Sequence, residues 1–320
     1  MTVKITKPEI NVREKISELD KPSGVAGQAM LAAETPQEQQ ALIGAGPNRN
    51  LIINGGFQIW QRGTSGTSGY VADRWRGQNC SSQSKQYDAE VGNYLQFTAT
   101  NAAIMYYGIE LDETGQVAPF EVGETYTLSL KVKSTAVMYK PNLSFRDNLS
   151  FGTNTVFTTK EIKPHQGSGE WEDVVYQFTV DSAPHGTAPL FELTLVSFEY
   201  ASTPINIAQV QMVKGKVATP FEHRSYGEEL AACQRYYQYV ERARGSGNRD
   251  AGSNVCAFSH RIPEMRASPT MTRVAVGSPY NWNFVQFANI NKSHVSVLIE
   301  IITTDAYWYY NDGYIADAEL

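Results

Sequence analysis

The chain is poor in the residues from which cross-links and most active sites are made. Its 320 residues include three cysteines, Cys80, Cys233 and Cys256, odd in number and widely spaced, with no CxxC pair. That excludes a disulfide framework and a thiolate zinc centre as expectations, and places reduced thiols in or near cores. The five histidines, at 165, 185, 223, 260 and 294, stand apart with no HxH or HExxH spacing. His165 and His185 lie in glycine- and proline-rich stretches and are expected in solvent. There is no GxSxG elbow, no GxxxxGK[ST] loop and no GxGxxG between a strand and a helix. Gly245-Ser246-Gly247 follows a helical pattern, the wrong side for cradling a phosphate.

Charge is also scarce. Charged residues are 19% of the chain, the net charge is -6, and no block of like charge occurs. The electrostatic footprint of a nucleic-acid binder is therefore missing. No apolar run approaches the ~18 residues of a membrane helix; the best, 295–302, has the length of a strand. Met1-Thr2-Val3-Lys4 lacks the basic start and apolar run of a signal peptide, so synthesis in a cytosol is expected.

What is present is a folding composition: 42% apolar residues, 11% aromatic and 18 tyrosines, suited to strands and contact surfaces. Residues 1–49 are polar and punctuated by Pro8, Pro22, Gly24, Pro36, Gly44 and Pro47. Two short helices are predicted there. The first places Val12, Ile16 and Leu19 on one face; the second runs from Thr35 as N-cap, through Pro36 and Glu38, to Gly44. Neither can form a core alone, so the segment should dock on its own copies or on a larger assembly.

Residues 50–223 read as one all-β domain. Alternating or branched runs recur between turn signals at 94–98, 125–132, 142–145, 174–180, 191–198 and 205–213, the pattern of a sandwich, jelly roll or barrel. Trp60, Trp75 and Trp171 are expected in its core. A connecting helix is predicted over 224–245: Ser225 and Glu228 match a capping box, and Leu230, Cys233, Tyr237 and Val240 form one apolar stripe. Residues 246–320 are β-rich again, at 254–262, 270–276, 283–288, 295–303 and 307–315. Some 70 residues make a small core, so this part should pack on the first domain or on sister chains.

The carboxylate clusters Glu110/Asp112/Glu113, Glu121/Glu124 and Glu170/Glu172/Asp173 are neighbours in sequence only and read as solvated rather than as a glycosidase pair. Asp73 reads as structural, a short carboxylate next to a bend that bonds backbone amides. Glycan binding would use aromatic faces near loops or on exposed strand faces, which singles out Tyr280 and Trp282 after Gly277-Ser278-Pro279, and Trp308 and Tyr310 within Tyr307-Trp308-Tyr309-Tyr310. Sheet packing or trimer contact is the competing role for these rings.

The most informative stretch is Asn50-Leu51-Ile52-Ile53-Asn54-Gly55-Gly56-Phe57-Gln58-Ile59-Trp60-Gln61-Arg62-Gly63, followed by Tyr70-Val71-Ala72-Asp73-Arg74-Trp75. Physically it reads as a strand, a glycine bend and a second strand. It resembles the opening signature of tail-fibre and related virion proteins of tailed bacteriophages and, more loosely, the start of carbohydrate-binding jelly-roll modules. The likeness extends to residues 7–24, 34–46, 205–239, 260–272 and 313–320.

The resemblance implies an all-β jelly-roll sandwich at 50–223, a helical arm at 1–49 for virion attachment or oligomerisation, a connecting helix at 224–245 and a smaller β domain at 246–320. It implies a non-enzymatic, homotrimeric virion component located on a tail fibre or another surface appendage. The implied partners are other virion proteins, through residues 1–49, and a host-surface glycan, with no nucleic acid, membrane insertion or cofactor. The jelly-roll relatives often hold a structural calcium. Here Gln58 and Ala208 replace its acidic ligands, so calcium is not carried over. A capsid decoration or head-fibre protein and a polysaccharide depolymerase are the alternatives.

Overall fold

The computed structural model describes residues 50–110, 120–137, 141–147, 150–154, 157–181, 190–198, 203–248, 255–274, 282–301 and 307–319. The two helices predicted within 1–49 lie outside the described residues, as do His185 and Tyr280. The rest is all-β, and every strand pairing is antiparallel.

The first β unit contains β1 (Ser65–Gly66), β2 (Gly69–Tyr70), β3 (Trp75–Asp88), β4 (Gly92–Glu110), β5 (Thr125–Lys133), β6 (Asn142–Asp147), β7 (Ser150–Asn154), β8 (Phe157–Lys163), β9 (Glu172–Val180), β10 (Leu190–Phe198) and β11 (Ile205–Lys214). Their order is β7-β6-β10-β4-β11-β5-β9-β8, with β3 alongside β4. The 19-residue β4 is the organising element. Its first part pairs with β11, Leu95 to Phe97 opposite Ile207 to Ile205, and its second part pairs with β10. β3 runs beside both parts, so two groups of strands share one long ribbon.

Alternation then decides the interior. Tyr126, Leu128, Leu130 and Val132 on β5 are buried, as are Val174, Tyr176, Phe178 and Val180 on β9. They join Trp75, Leu95, Phe97, Met105 and Tyr107 from the ribbon in one core. The two groups of strands therefore enclose the same apolar interior, as in a sandwich. Each fully buried large side chain contributes about 1.5–3 kcal/mol of hydrophobic stabilisation.

The opening run does not form the hairpin that its spacing suggests. Residues 51–60 are turns and irregular backbone, because Asn54 (φ 59°) and Phe57 (φ 50°) occupy the left-handed region. The run instead caps the bulge in β11, where the register shifts between Ala208 and Gln211. Leu51 N donates to Met212 O at 2.9 Å, and Val210 N donates to Gly55 O at 2.9 Å. The chains approach so closely that a Cβ on Gly55 would lie 2.0 Å from Val210 O. Only glycine fits.

The connecting helix is shorter than predicted. α1 (Tyr226–Gln234) begins with the expected capping box: Glu228 N donates to Ser225 Oγ, and Ser225 N donates to the Glu228 carboxylate. It ends eleven residues before Gly245, and β12 (Tyr237–Asn248) follows at once. The apolar spacing of Leu230, Cys233, Tyr237 and Val240 imitates a helix. Tyr237 and Val240 are instead claimed by a ladder with β17, and aromatic and β-branched residues favour that state. Tertiary pairing overrides local pattern.

The second β unit adds β13 (Val255–Arg261), β14 (Thr270–Val274), β15 (Trp282–Ala288), β16 (His294–Ile301) and β17 (Tyr307–Asp317). They form two three-stranded sheets, β12-β17-β14 and β13-β16-β15. Val295, Val297 and Ile299 from one sheet meet Ala243, Tyr314 and Ala316 from the other, together with Ile262 and Met265. This small core is separate from the first, so something must join the two units.

One expectation about exposure is reversed. His165 is buried, at 2% exposure, because its loop folds back onto the strands. Gly169 N donates to Ser134 O at 3.1 Å, and Glu172 accepts from the amides of Gln166 and Ser168, each at 2.8 Å. His165 Nε2 lies 3.4 Å from Glu172 Oε1. Burial pushes the His165 pKa below its ordinary 6.5, and the nearby Glu172 offsets this only in part. Burial raises the Glu172 carboxyl, but the Ser168 and Gln166 hydrogen bonds and His165 outweigh it and hold it below 4.5. Both shifts favour the folded state above the ordinary pKa and lose that contribution as pH falls. Stability measured by urea denaturation should therefore decline below pH 6.5 and more steeply below pH 4.5, and His165→Asn should flatten the first part of that decline.

Candidate functional site

The signature residues converge on the junction between the two β units. Asn54, fully buried, is its hub. Its carboxamide Nδ2 donates to Ile59 O at 2.9 Å and Asp73 O at 3.0 Å, while Oδ1 accepts from Ile59 N at 3.0 Å. Its backbone N–H donates to the Glu229 carboxylate on α1, and its carbonyl accepts from Trp75 Nε1 at 3.1 Å. Asn50 works similarly on β11, with Oδ1 accepting from Ile52 N and Met212 N. Asp73 accepts from Gln61 N at 2.7 Å and Gln61 Nε2 at 3.0 Å, the amide-bonding role its sequence position suggests.

Around this hub two arginines cross the junction. Arg74, 1% exposed and with φ 71°, donates to Glu319 near the end of β17 and to Gly108 O on β4. Its guanidinium carbon lies 3.4 Å from the Tyr236 ring centroid. Arg62 lies 3.4 Å from Asp73, 3.3 Å from Glu319 and 3.6 Å from Asp317, and stacks 3.5 Å from the centroid of Tyr237. Consecutive tyrosines, Tyr236 just before β12 and Tyr237 at its start, thus each cover a different arginine, and Glu319 bridges both cations. Gln61 Nε2 adds a hydrogen bond to Tyr237 O at 2.9 Å.

The electrostatics are those of a sealed clamp. Burial works against the Arg74 charge, but Glu319 and the hydroxyls of Tyr107, Tyr236 and Tyr70 outweigh it and hold the guanidinium protonated more firmly than usual. Burial raises the Asp73 carboxyl above its ordinary range despite the Gln61 and Arg62 contacts. Burial, with Glu319 adding to it, pushes Tyr70 up to about 12. The Cys233 thiol beneath the cluster is raised well above its ordinary value, first by burial and then by Asp73 and Glu229, so it is not a reactive thiolate. Arg74 and Glu319 are 1% and 5% exposed. Such groups cannot meet a substrate from solvent; what they can do is hold two units in one orientation.

Of the four residues singled out for glycans, the three that are described lie elsewhere. Trp282 opens β15 opposite Ile301; on β17, Trp308 and Tyr310 stand opposite Gly247 and Gly245 of β12. Tyr280 is not described. Of the three expected core tryptophans, Trp75 is 1% exposed, Trp60 packs half-buried against the same core, and Trp171 is half-buried with Tyr94 edge-on at 5.3 Å. Several carboxylates of the sequence clusters face lysines: Glu121 and Glu124 approach Lys214, Asp173 approaches Lys131 and Lys163, and Glu170 approaches Lys133. Sequence reasoning missed Arg62, Arg74 and Glu319. Arg74 and Glu319 stand 245 positions apart, and nothing local announces their pairing.

No protein-family model and no curated protein matches the sequence. Among solved structures, it is similar to the tandem N-terminal CBM22 modules of Xyn10C from Paenibacillus barcinonensis, with 12% identity, 85% of this chain and 98% of that one covered, and a TM-score of 0.34. A candidate sugar-binding protein from Bacteroides thetaiotaomicron matches at 12% identity over 52% of this chain and 100% of its own, with a TM-score of 0.34. A cyclase from Fischerella sp. TAU matches at 11% identity over 52% and 97%, with a TM-score of 0.35. Likenesses of this size transfer neither a family nor an activity.

Proposed function

We propose that this chain is a structural component of a tailed-phage particle, a tail fibre or fibre-like appendage that holds its place on the virion and touches the host surface. One observation supports this reading above others. Three segments that carry the phage resemblance, 50–75, 205–239 and 313–320, supply the buried clamp, so their shared residues serve to fix two β units together. In this reading residues 1–49 tether the chain to the virion or to its sister copies. The second β unit presents Tyr280, Trp282, Trp308 and Tyr310 to a surface glycan, whose sugar faces stack on aromatic rings.

Two experiments test the two halves. Electron microscopy of particles carrying the labelled chain should place it on an appendage of the tail; label confined to the capsid would favour a decoration protein. Affinity electrophoresis in host polysaccharide should retard the purified chain, and Trp308→Ala with Tyr310→Ala should weaken retardation at least about tenfold if ring stacking supplies ~1.4 kcal/mol or more. Unchanged mobility of the double variant would remove the glycan assignment to these rings, and shortened polysaccharide would favour the depolymerase alternative.

A further inference from the structure

Asn54-Gly55 is the chain's single Asn-Gly pair, the dipeptide in which an unhindered glycine amide most readily attacks the preceding carboxamide. We propose that it is a latent deamidation site, locked by the fold, whose conversion permanently records opening of the clamp. Three observations carry this.

The pair is imposed by packing, so it could not simply be avoided. A Cβ at residue 55 would lie 2.0 Å from Val210 O, and Asn54 uses both ends of its amide, donating to Ile59 O and Asp73 O and accepting from Ile59 N. The same hydrogen bonds hold the carboxamide toward Ile59 and Asp73, and Asn54 is fully buried. Its Cγ is thus withheld both from the Gly55 nitrogen and from the water the reaction needs. The product would not fit: the new carboxylate would replace two donated hydrogen bonds with a charge facing two carbonyls, in a site already holding Asp73 and Glu229.

The chemistry balances with water as the sole co-reactant. The deprotonated Gly55 nitrogen forms a bond to Asn54 Cγ, the Cγ–Nδ2 bond breaks, and ammonia leaves with the proton. Water then opens the cyclic imide at either carbonyl, giving aspartate or the β-linked isoaspartate, which lengthens the backbone by a methylene. In the folded chain the rate is the unfolded rate multiplied by the fraction open, so a clamp opening once in a hundred molecules slows it about a hundredfold, equivalent to ~2.8 kcal/mol at 1.4 kcal/mol per factor of ten.

The test is incubation of the full chain at mildly alkaline pH, folded or in concentrated urea, with peptide mass spectrometry at Asn54 and refolding yield read from the same samples. The expected result is conversion at least about a hundredfold slower in the folded chain, with refolding yield falling in step with conversion in the urea sample. Equal rates in both states would overturn the lock. Asn54→Asp tests the product independently: a variant that folds with unchanged thermal stability would overturn the claim that conversion disables the clamp, and failure to fold would support it.

Discussion

Replacing Arg74 with alanine is expected to destabilise the chain by about 3–5 kcal/mol, the range for removing one partner of a buried ion pair. The effect is large because the loss is asymmetric. Glu319 would remain 5% exposed with its main counter-charge gone, Gly108 O would lose a donor, and the face of Tyr236 would lose the cation packed 3.4 Å from its centroid. Arg74→Lys should recover only part of the deficit, since an ammonium can neither donate as a planar fork nor stack flat on the tyrosine. Because each β unit keeps its own core, urea unfolding of Arg74→Ala should separate into two transitions. A midpoint shifted by less than the equivalent of ~1 kcal/mol would show that the pair contributes little.

Trp75→Ala should cost a similar ~3–5 kcal/mol, but for another reason. The indole fills the interior between Phe57 and Tyr107, with ring centroids 5.3 Å and 4.9 Å away, and its Nε1 donates to Asn54 O. Truncation leaves a cavity bordered by rings that cannot all collapse into it, and it removes the packing that fixes the Asn54 turn. Trp75→Phe keeps most of the volume and forfeits the hydrogen bond, so ~1–2 kcal/mol is expected. Circular dichroism with urea titration measures both. Similar losses for the two variants would mean that the hydrogen bond, rather than ring volume, dominates.

The strands whose inner faces alternate cleanly were legible in the sequence. Tyr126, Leu128, Leu130 and Val132 announce β5, and Val174, Tyr176, Phe178 and Val180 announce β9. β3 was not legible, because Gly77 to Ser84 is nearly all polar. Its stability comes from the pairing with β4 and from the buried Gln83 amide, which donates to Thr67 O and Gly69 O. β12 was concealed by a helical spacing that the ladder with β17 overrides. At the junction, Asp73 could be assigned to backbone amides because its partners are near in sequence. Its neighbour Arg74 could not, since the meaning of that residue lies in Tyr236 and Glu319, which only the fold brings near. The buried His165 failed in the same way: a glycine-rich loop implies solvent until long-range hydrogen bonds fold it inward.

A double-mutant cycle between Arg74→Met and Glu319→Gln, read by urea denaturation, tests most directly whether the signature residues act as a clamp joining the two units. A coupling energy above about 1 kcal/mol is predicted, with the double variant less destabilised than the sum of the single ones. Additivity within ~0.5 kcal/mol would contradict the clamp.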